Sequence, residues 1–329
     1  MGVGLHGLNG ISPEVSMNMI RTYGLPVVMY GLDAMVLSVQ DYKTLNVFYR
    51  TLLRQIQHLP ASTATPAIYL MSGSQPLEAL HHQSVLTLFG NVARRKDSVE
   101  QELICRQLAM KQLDSNSWVT LVRELCLMYK LPSPFALTDK PPEKRRWKET
   151  VKTKIQKYWQ QKIKEDAGKK SSMKFLNLEA CMPDMVHPVW RCGTDPLQVT
   201  IAVTKARLLI KRYPLGSSHS AGTRKSDRCI LCGGLDESTY HLLLICPYLH
   251  EIRGRRWYQI HQILEEFLYE PSSQEELVKV ILDSSHLTWI PAEDRRSFES
   301  LTRYLCFNLH NERATGSGSQ YVAASKRYR

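Results

Sequence analysis

No apolar run in this chain approaches the roughly 20 residues that a membrane-spanning helix needs; the longest, over residues 25–37, is interrupted by Asp33. That excludes a spanning protein, and no membrane partner is expected. The first ten residues are small and nearly uncharged, without the basic flank and apolar centre of a secretory signal or the arginines of a transit peptide. The expected location is therefore intracellular, in the nucleus or cytoplasm, where thiols stay reduced. Strict alternation of apolar and polar residues is almost missing, which argues against a sheet protein. Also missing are a glycine-rich phosphate loop, a Gly-x-Ser-x-Gly elbow, a His-Glu-x-x-His signature and any pair of adjacent aspartates. Without the first three there is little to support an independent hydrolase. Acidic residues are scarce relative to basic ones, 31 against 43, and the formal net charge of +12 predicts attraction to polyanions. Otherwise the composition is that of an ordinary folded protein, 43% apolar and 22% charged. Its 329 residues suffice for one large domain or two modest ones.

Helical spacing dominates, so an all-α fold is expected. Ser12, Pro13 and Glu14 supply a capping hydroxyl, a first-turn proline and a carboxylate near the positive helix end. Gly24 and Pro26 should kink or break that helix, because the proline ring removes an amide donor and crowds the preceding turn. Ser38 with Asp41 opens another helix, with Leu45, Phe48, Leu52 and Ile56 on one face and Pro60 as its stop. Residues 61–66 read as a connector, and further helices should start at Pro76 and after Ser117. Residues 131–142 hold four prolines and are expected to be an irregular linker that closes a first helical domain, 1–130.

A basic amphipathic helix is expected over 143–166, with Trp147, Val151, Ile155, Tyr158 and Ile163 as its apolar face and Trp159 also packing inward. Residues 144–174 carry an excess of nine positive charges, so the charge is concentrated. The basic helical region should extend to 214, followed by a cysteine-containing region over 215–269 and C-terminal helices over 270–313. The Gly/Ser-rich tail over 314–329 is expected to be disordered. His81 and His82, adjacent on a helix, should point about 100° apart and not share a site.

Five of the eight cysteines, Cys105, Cys126, Cys181, Cys192 and Cys306, are dispersed and expected to be reduced. The others fall in one pattern, Cys229-x2-Cys232-x8-His241-x4-Cys246. Two thiolates separated by two residues can chelate one ion from a tight turn, which Gly233 and Gly234 let the backbone leave. Four soft or borderline ligands with no open position point to structural Zn²⁺. His250 could replace His241 as the fourth ligand. Arg224, Lys225 and Arg228 precede the pattern, and Arg253, Arg255 and Arg256 follow it beside Trp257 and Tyr258. With Lys144, Arg145, Arg146, Lys148 and Lys152 they are the candidate contacts to phosphate, the aromatics offering faces for unpaired bases. A zinc-stabilised module that meets an acidic protein partner is the alternative reading.

Several motifs occur in a telling order. They are Gly7-Leu8-Asn9-Gly10-Ile11-Ser12-Pro13, Tyr23-Gly24-Leu25-Pro26-Val27, Tyr30-Gly31-Leu32, and Phe48-Tyr49-Arg50 leading to Gln57-His58-Leu59-Pro60. Later come His187-Pro188-x-Trp190, Lys205-Ala206-Arg207-Leu208 and the cysteine pattern. Together they resemble the segment that follows the catalytic palm in non-LTR (LINE-type) retrotransposon reverse transcriptases. The resemblance implies that 1–130 is a helical thumb that holds a template-primer duplex, followed by a linker region and a Cys-Cys-His-Cys zinc knuckle. It implies RNA or DNA as partner, and the palm of the same polymerase as the domain normally packed against the thumb. The family's catalytic aspartate pair and endonuclease have no counterpart here, so the resemblance implies a non-enzymatic fragment of the element's product, with exposed apolar surface on its first domain. The loop over 215–225 departs from the family pattern.

Overall fold

Capping side chains set where most helices begin. In the computed structural model, which describes residues 11–112, 114–216, 228–234 and 236–316, Ser12 accepts from the Val15 amide at 3.4 Å and opens α1 (Pro13–Met19). The chain does not stop after α1. Ile20–Gly24 forms one wide turn in which the Leu25 amide reaches back five residues to the Ile20 carbonyl, and α2 (Leu25–Met29) follows. Such a π-turn is a common cause of a helix kink and relieves the crowding a proline ring causes. Where Gly24 and Pro26 were expected to kink or break the helix, the chain takes this wide turn and stays helical. Ser38 and Asp41 close a full capping box on α3 (Val39–Ile56).

α4 (Thr65–Ser72) was not expected, since residues 61–66 read as a connector. Every side chain from Pro66 to Ser72 is buried, so the helix has no polar face and leaves no amphipathic signature. α5 (Leu77–Ala93), α6 (Val99–Met110) and α7 (Trp118–Met128) follow, with Ser98 and Ser117 capping the last two. The proline-rich stretch is not irregular throughout. Ser133 caps α8 (Pro134–Asp139), with Pro134 in the first turn where its missing amide proton costs nothing.

α9 (Lys144–Gly168) joins two buried clusters. Its inward residues are Trp147, Val151, Ile155, Trp159, Ile163 and Ala167, one every four positions. At about 100° per residue each step of four advances the stripe by about 40°, so it swings about 200° along the helix. The first four anchors pack with α5, α7 and α8 in one cluster. Ile163 and Ala167 pack with residues from 17–77 and from 173–309 in the other. Trp159 packs inward as expected, whereas Tyr158, expected on the apolar face, is exposed. The buried clusters are drawn across residues 131–142 and do not separate there.

Trp147 packs on a glycine. Its Nε1 donates to the Leu86 carbonyl at 2.8 Å, and a Cβ at Gly90 would lie 2.2 Å from that nitrogen. His81 and His82 are both buried and face different partners: His81 sits between the Tyr42 hydroxyl and the Leu32 carbonyl, His82 against the Tyr129 hydroxyl.

α10 (Pro196–Leu209), α11 (His250–Glu266), α12 (Gln274–Leu282) and α13 (Ala292–Gly316) form the remaining helical layer, and no strand occurs among the described residues. The motifs over 187–190 and 205–208 serve here as internal joints. His187 lies 3.2 Å from buried Asp283, Lys205 lies 2.7 Å from buried Glu299, and Arg207 donates to the His58 carbonyl at 2.7 Å. α13 runs through 314–316, where disorder was expected; residues 317–329 lie outside the described residues, as do 1–10 with the first part of the N-terminal motif. Tyr23, Val27, Tyr30 and Val39 are at least 70% exposed, and Met35 and Phe48 about half so. No described helix is long and apolar enough to cross a membrane.

Candidate metal centre and basic surfaces

Two backbone bonds fold the first cysteine pair into a tight loop. The Gly233 amide donates to the Cys229 carbonyl at 2.9 Å, and the Cys229 amide to the Gly234 carbonyl at 2.8 Å. The glycines serve different ends. Gly233 has φ +69°, a left-handed conformation that strains any side chain, whereas a Cβ at Gly234 would press to 3.3 Å from the Cys232 Sγ.

The second pair is set by another wide turn. Over His241–Ile245 the backbone closes five residues apart, and the Cys246 amide donates to the His241 carbonyl at 2.8 Å. In an α-helix residues five apart stand about 140° from one another. The wider closure brings His241 and Cys246 to the same side. The ligand atoms of Cys229, Cys232, His241 and Cys246 all lie within 4.8 Å of one another, a group that could hold a metal ion. The Cys229 and Cys246 sulfurs are 3.9 Å apart, and the Cys232 Sγ is 3.3 Å from the His241 Nε2. His250 stands exposed at the start of α11 and is not in the group, so the alternative ligand set is not the one assembled.

Charge in the cluster suits a cation. Burial holds His241 below its ordinary pKa, opposed by Glu237 and aided by Arg253, which favours the neutral ring that coordinates metals. Burial, with Cys229 alongside, pushes the Cys246 thiol up to about 12. Burial also raises Cys232, but the Gly234 amide and the two neighbouring thiols bring it below its usual value. Were all three sulfurs ionised they would repel one another at this range, a penalty that a divalent ion would remove.

The basic residues expected to meet phosphate divide sharply. Arg253 is a correction: it is buried, and it donates to the Cys246 carbonyl at 2.6 Å and the Leu242 carbonyl at 3.4 Å, tying α11 to the cysteine loop. Arg256 is half-buried over the Tyr304 ring, 5.5 Å from its centroid. Arg228 and Tyr258 are exposed. Arg224, Lys225 and the side chain of Arg255 lie outside the described residues. On α9, by contrast, Lys144, Arg145, Arg146, Lys148 and Lys152 are all exposed, as are Lys154 and Lys157. Arg145 meets Glu149 at 3.0 Å and Lys152 meets Asp184 at 2.9 Å, both at the surface where such pairs contribute little. Glu143 caps the helix by accepting from the Arg145 and Arg146 amides.

Glu237 went unanticipated. It is buried four residues before His241, accepts from Arg313 at 2.8 and 3.1 Å, and takes the Gly216 amide at 2.8 Å. Its partner lies 76 residues away in sequence, beyond any local pattern. Set against known families, curated proteins and solved structures, the chain matches none.

Proposed function

We propose that this chain is a non-catalytic, nucleic-acid-gripping part of a LINE-type reverse transcriptase, folded around a structural zinc ion. The observation that carries the reading is α9: a helix of 25 residues, about 37 Å long by its rise, whose apolar anchors turn inward while all its lysines and arginines but Lys164 stand in water. Cations spread over that length can follow a run of phosphates, and several such contacts together give affinity without reading sequence. RNA or DNA is the expected partner. The exposed apolar side chains between Val15 and Phe48 fit a face that the polymerase palm would cover. No nucleotidyl-transfer step is assigned, because the sequence has no adjacent aspartate pair to hold Mg²⁺.

Zinc is assigned to the cysteine cluster on the chemistry of its donors. Zinc–sulfur bonds of about 2.3 Å in a tetrahedron put sulfurs about 3.8 Å apart, close to the 3.9 Å between Cys229 and Cys246. Three thiolates and one imidazole fill all four positions and leave none for a reacting water, so the ion's role is to brace the fold.

A filter-binding titration of the zinc-loaded chain against single-stranded and duplex RNA and DNA tests the reading. Binding should weaken steeply as salt rises, with a log–log slope set by the number of phosphates engaged. Absence of affinity for every one of these at low salt would end it.

A further inference from the structure

A cavity of about 880 Å³ opens beside α9 and away from its anchored N-terminal half. Its walls come from the turn before α4, the end of α9 with the turn after it, the end of α10, and Ser238–Tyr240. Four cations line it, Lys169, Lys170, Lys211 and Arg212, against one carboxylate, Asp166, which already lies 3.4 Å from Lys170. Hydroxyls from Thr63, Ser171, Ser172 and Ser238 stand among them.

Two polar atoms on these walls lack partners. The Thr63 Oγ1, on a residue only 4% exposed, and the Arg212 Nε are both buried without a hydrogen bond. Buried polar groups are rarely left so, because each forfeits its hydration. Thr63 and Arg212 both line the cavity, so an oxyanion entering it would offer each an acceptor once the side chain turns towards it. Lys211 lines the same cavity with its Nζ 5.2 Å from the centroid of the buried Phe175 ring; burial and Lys174 lower its pKa, a shift that an anion alongside would oppose.

We infer that this cavity binds a phosphate ester, seating the phosphoryl group on Lys211, Arg212 and Thr63 with room beside it for the attached nucleoside. The volume is within the range of small-molecule sites and far exceeds a bare phosphate. The wall segment Ser238–Tyr240 runs directly into His241, and the Ser238 Oγ accepts from the His241 amide at 3.2 Å. The metal cluster therefore fixes one side of the cavity. The inference rests on the proposed function only for the source of the ester, a nucleic-acid strand; a free nucleotide has the same chemistry.

Calorimetric titration of the full zinc-loaded chain with AMP, adenosine and a single-stranded oligonucleotide tests it. AMP should bind, and adenosine should bind at least about ten-fold more weakly, the typical worth of a charge-assisted hydrogen bond. Lys211→Gln and Arg212→Lys should each weaken AMP by about ten-fold and Thr63→Val by less, with circular dichroism confirming that each variant is folded. Lys96→Gln/Lys111→Gln, exposed and outside both the cavity and α9, should leave AMP affinity unchanged. No AMP binding, equal affinity for AMP and adenosine, or folded pocket variants that bind AMP like the parent would each overturn the inference. Displacement of AMP by the oligonucleotide names a strand as the source. AMP binding with no oligonucleotide affinity supports the cavity and removes the proposed function, and oligonucleotide binding without AMP binding does the reverse.

Discussion

Along α9 the cations fall between apolar residues that recur every four positions, whereas at the start of α11 Arg253 falls on the apolar line itself, with Leu249, Ile260 and Leu264. Both stretches offer clustered arginines or lysines in the sequence. One keeps its charge in water and the other turns a guanidinium into a brace for backbone carbonyls. The regions also differ in what holds them together. The α5–α9 contact is packing, with a tryptophan seated on a glycine, while residues 229–246 gather four ligand atoms and send Leu242 and Leu243 into the larger core. Charge density thus says where an anion is attracted, and helical register says which cations can reach it.

The first way to break this contrast is to remove the metal ligands. Cys246→Ser should abolish zinc binding, and structural zinc sites supply apparent folding energies on the order of 10 kcal/mol in small modules. Hydrogen exchange should then show residues 229–246 opened while the α5–α9 core stays protected. Metal analysis of the reduced protein should give one zinc per chain for the parent and for His250→Ala, and none for the variant. Full stoichiometry in Cys246→Ser would contradict the ligand assignment.

The reverse cut is made at the other region. Trp147→Ala removes the largest buried side chain of the α5–α9 contact and should cost about 3–5 kcal/mol in denaturant unfolding. Gly90→Ala should act in the same direction, since the new Cβ would meet the indole nitrogen. Neither should change the zinc content. Loss of zinc in either variant would mean that the two regions do not fail separately.

Acid sharpens the comparison further. Burial lowers His82 to about 3 and His310 to about 4, so each is neutral in the folded chain at pH 6 while the unfolded chain takes up a proton. The unfolded state therefore binds more protons below the ordinary histidine pKa of about 6.5. Stability falls as pH drops through that value and continues to fall towards pH 3–4, by at most about 1.4 kcal/mol per pH unit for each group. Release of a bound zinc would add its own acid sensitivity. His82→Gln separates the two: thermal melts at pH 7 and 5 should show a smaller loss for the variant, and equal losses would remove His82 from the account.

Much of this architecture was legible beforehand because it rests on local chemistry. Ser12, Ser38 and Ser117 announce helix starts through their hydroxyls, and the spacing of Cys229, Cys232, His241 and Cys246 anticipates the cluster that forms. What escaped depends on distant partners or on missing contrast. α4 is buried all round, so no periodicity marks it, and the four prolines of 131–142 hid α8 because a proline in a first turn helps a helix. Glu237 and the cavity walls are joined by residues far apart in the chain. Arg253 could have been read correctly. Its spacing from Leu249 and Ile260, four and seven residues, already places it on the buried face.

That register argument yields the last test, a pairing of two substitutions chosen for equal loss of charge. Arg253→Gln removes one cation and leaves the Cys246 and Leu242 carbonyls short of a donor, so it should destabilise the fold by about 1–3 kcal/mol. Nucleic-acid affinity of the folded variant should hardly move, because the guanidinium never faced the ligand. Lys154→Gln removes one exposed cation from α9 and should leave the melting temperature unchanged within error. Its effect should appear instead in the salt dependence of binding, whose slope falls by about one for each phosphate that is no longer neutralised. Stability and salt slope are thus predicted to exchange places between two substitutions that remove the same charge. Were Arg253→Gln to lower the slope while Lys154→Gln did not, the phosphate path would run past the metal cluster and not along α9.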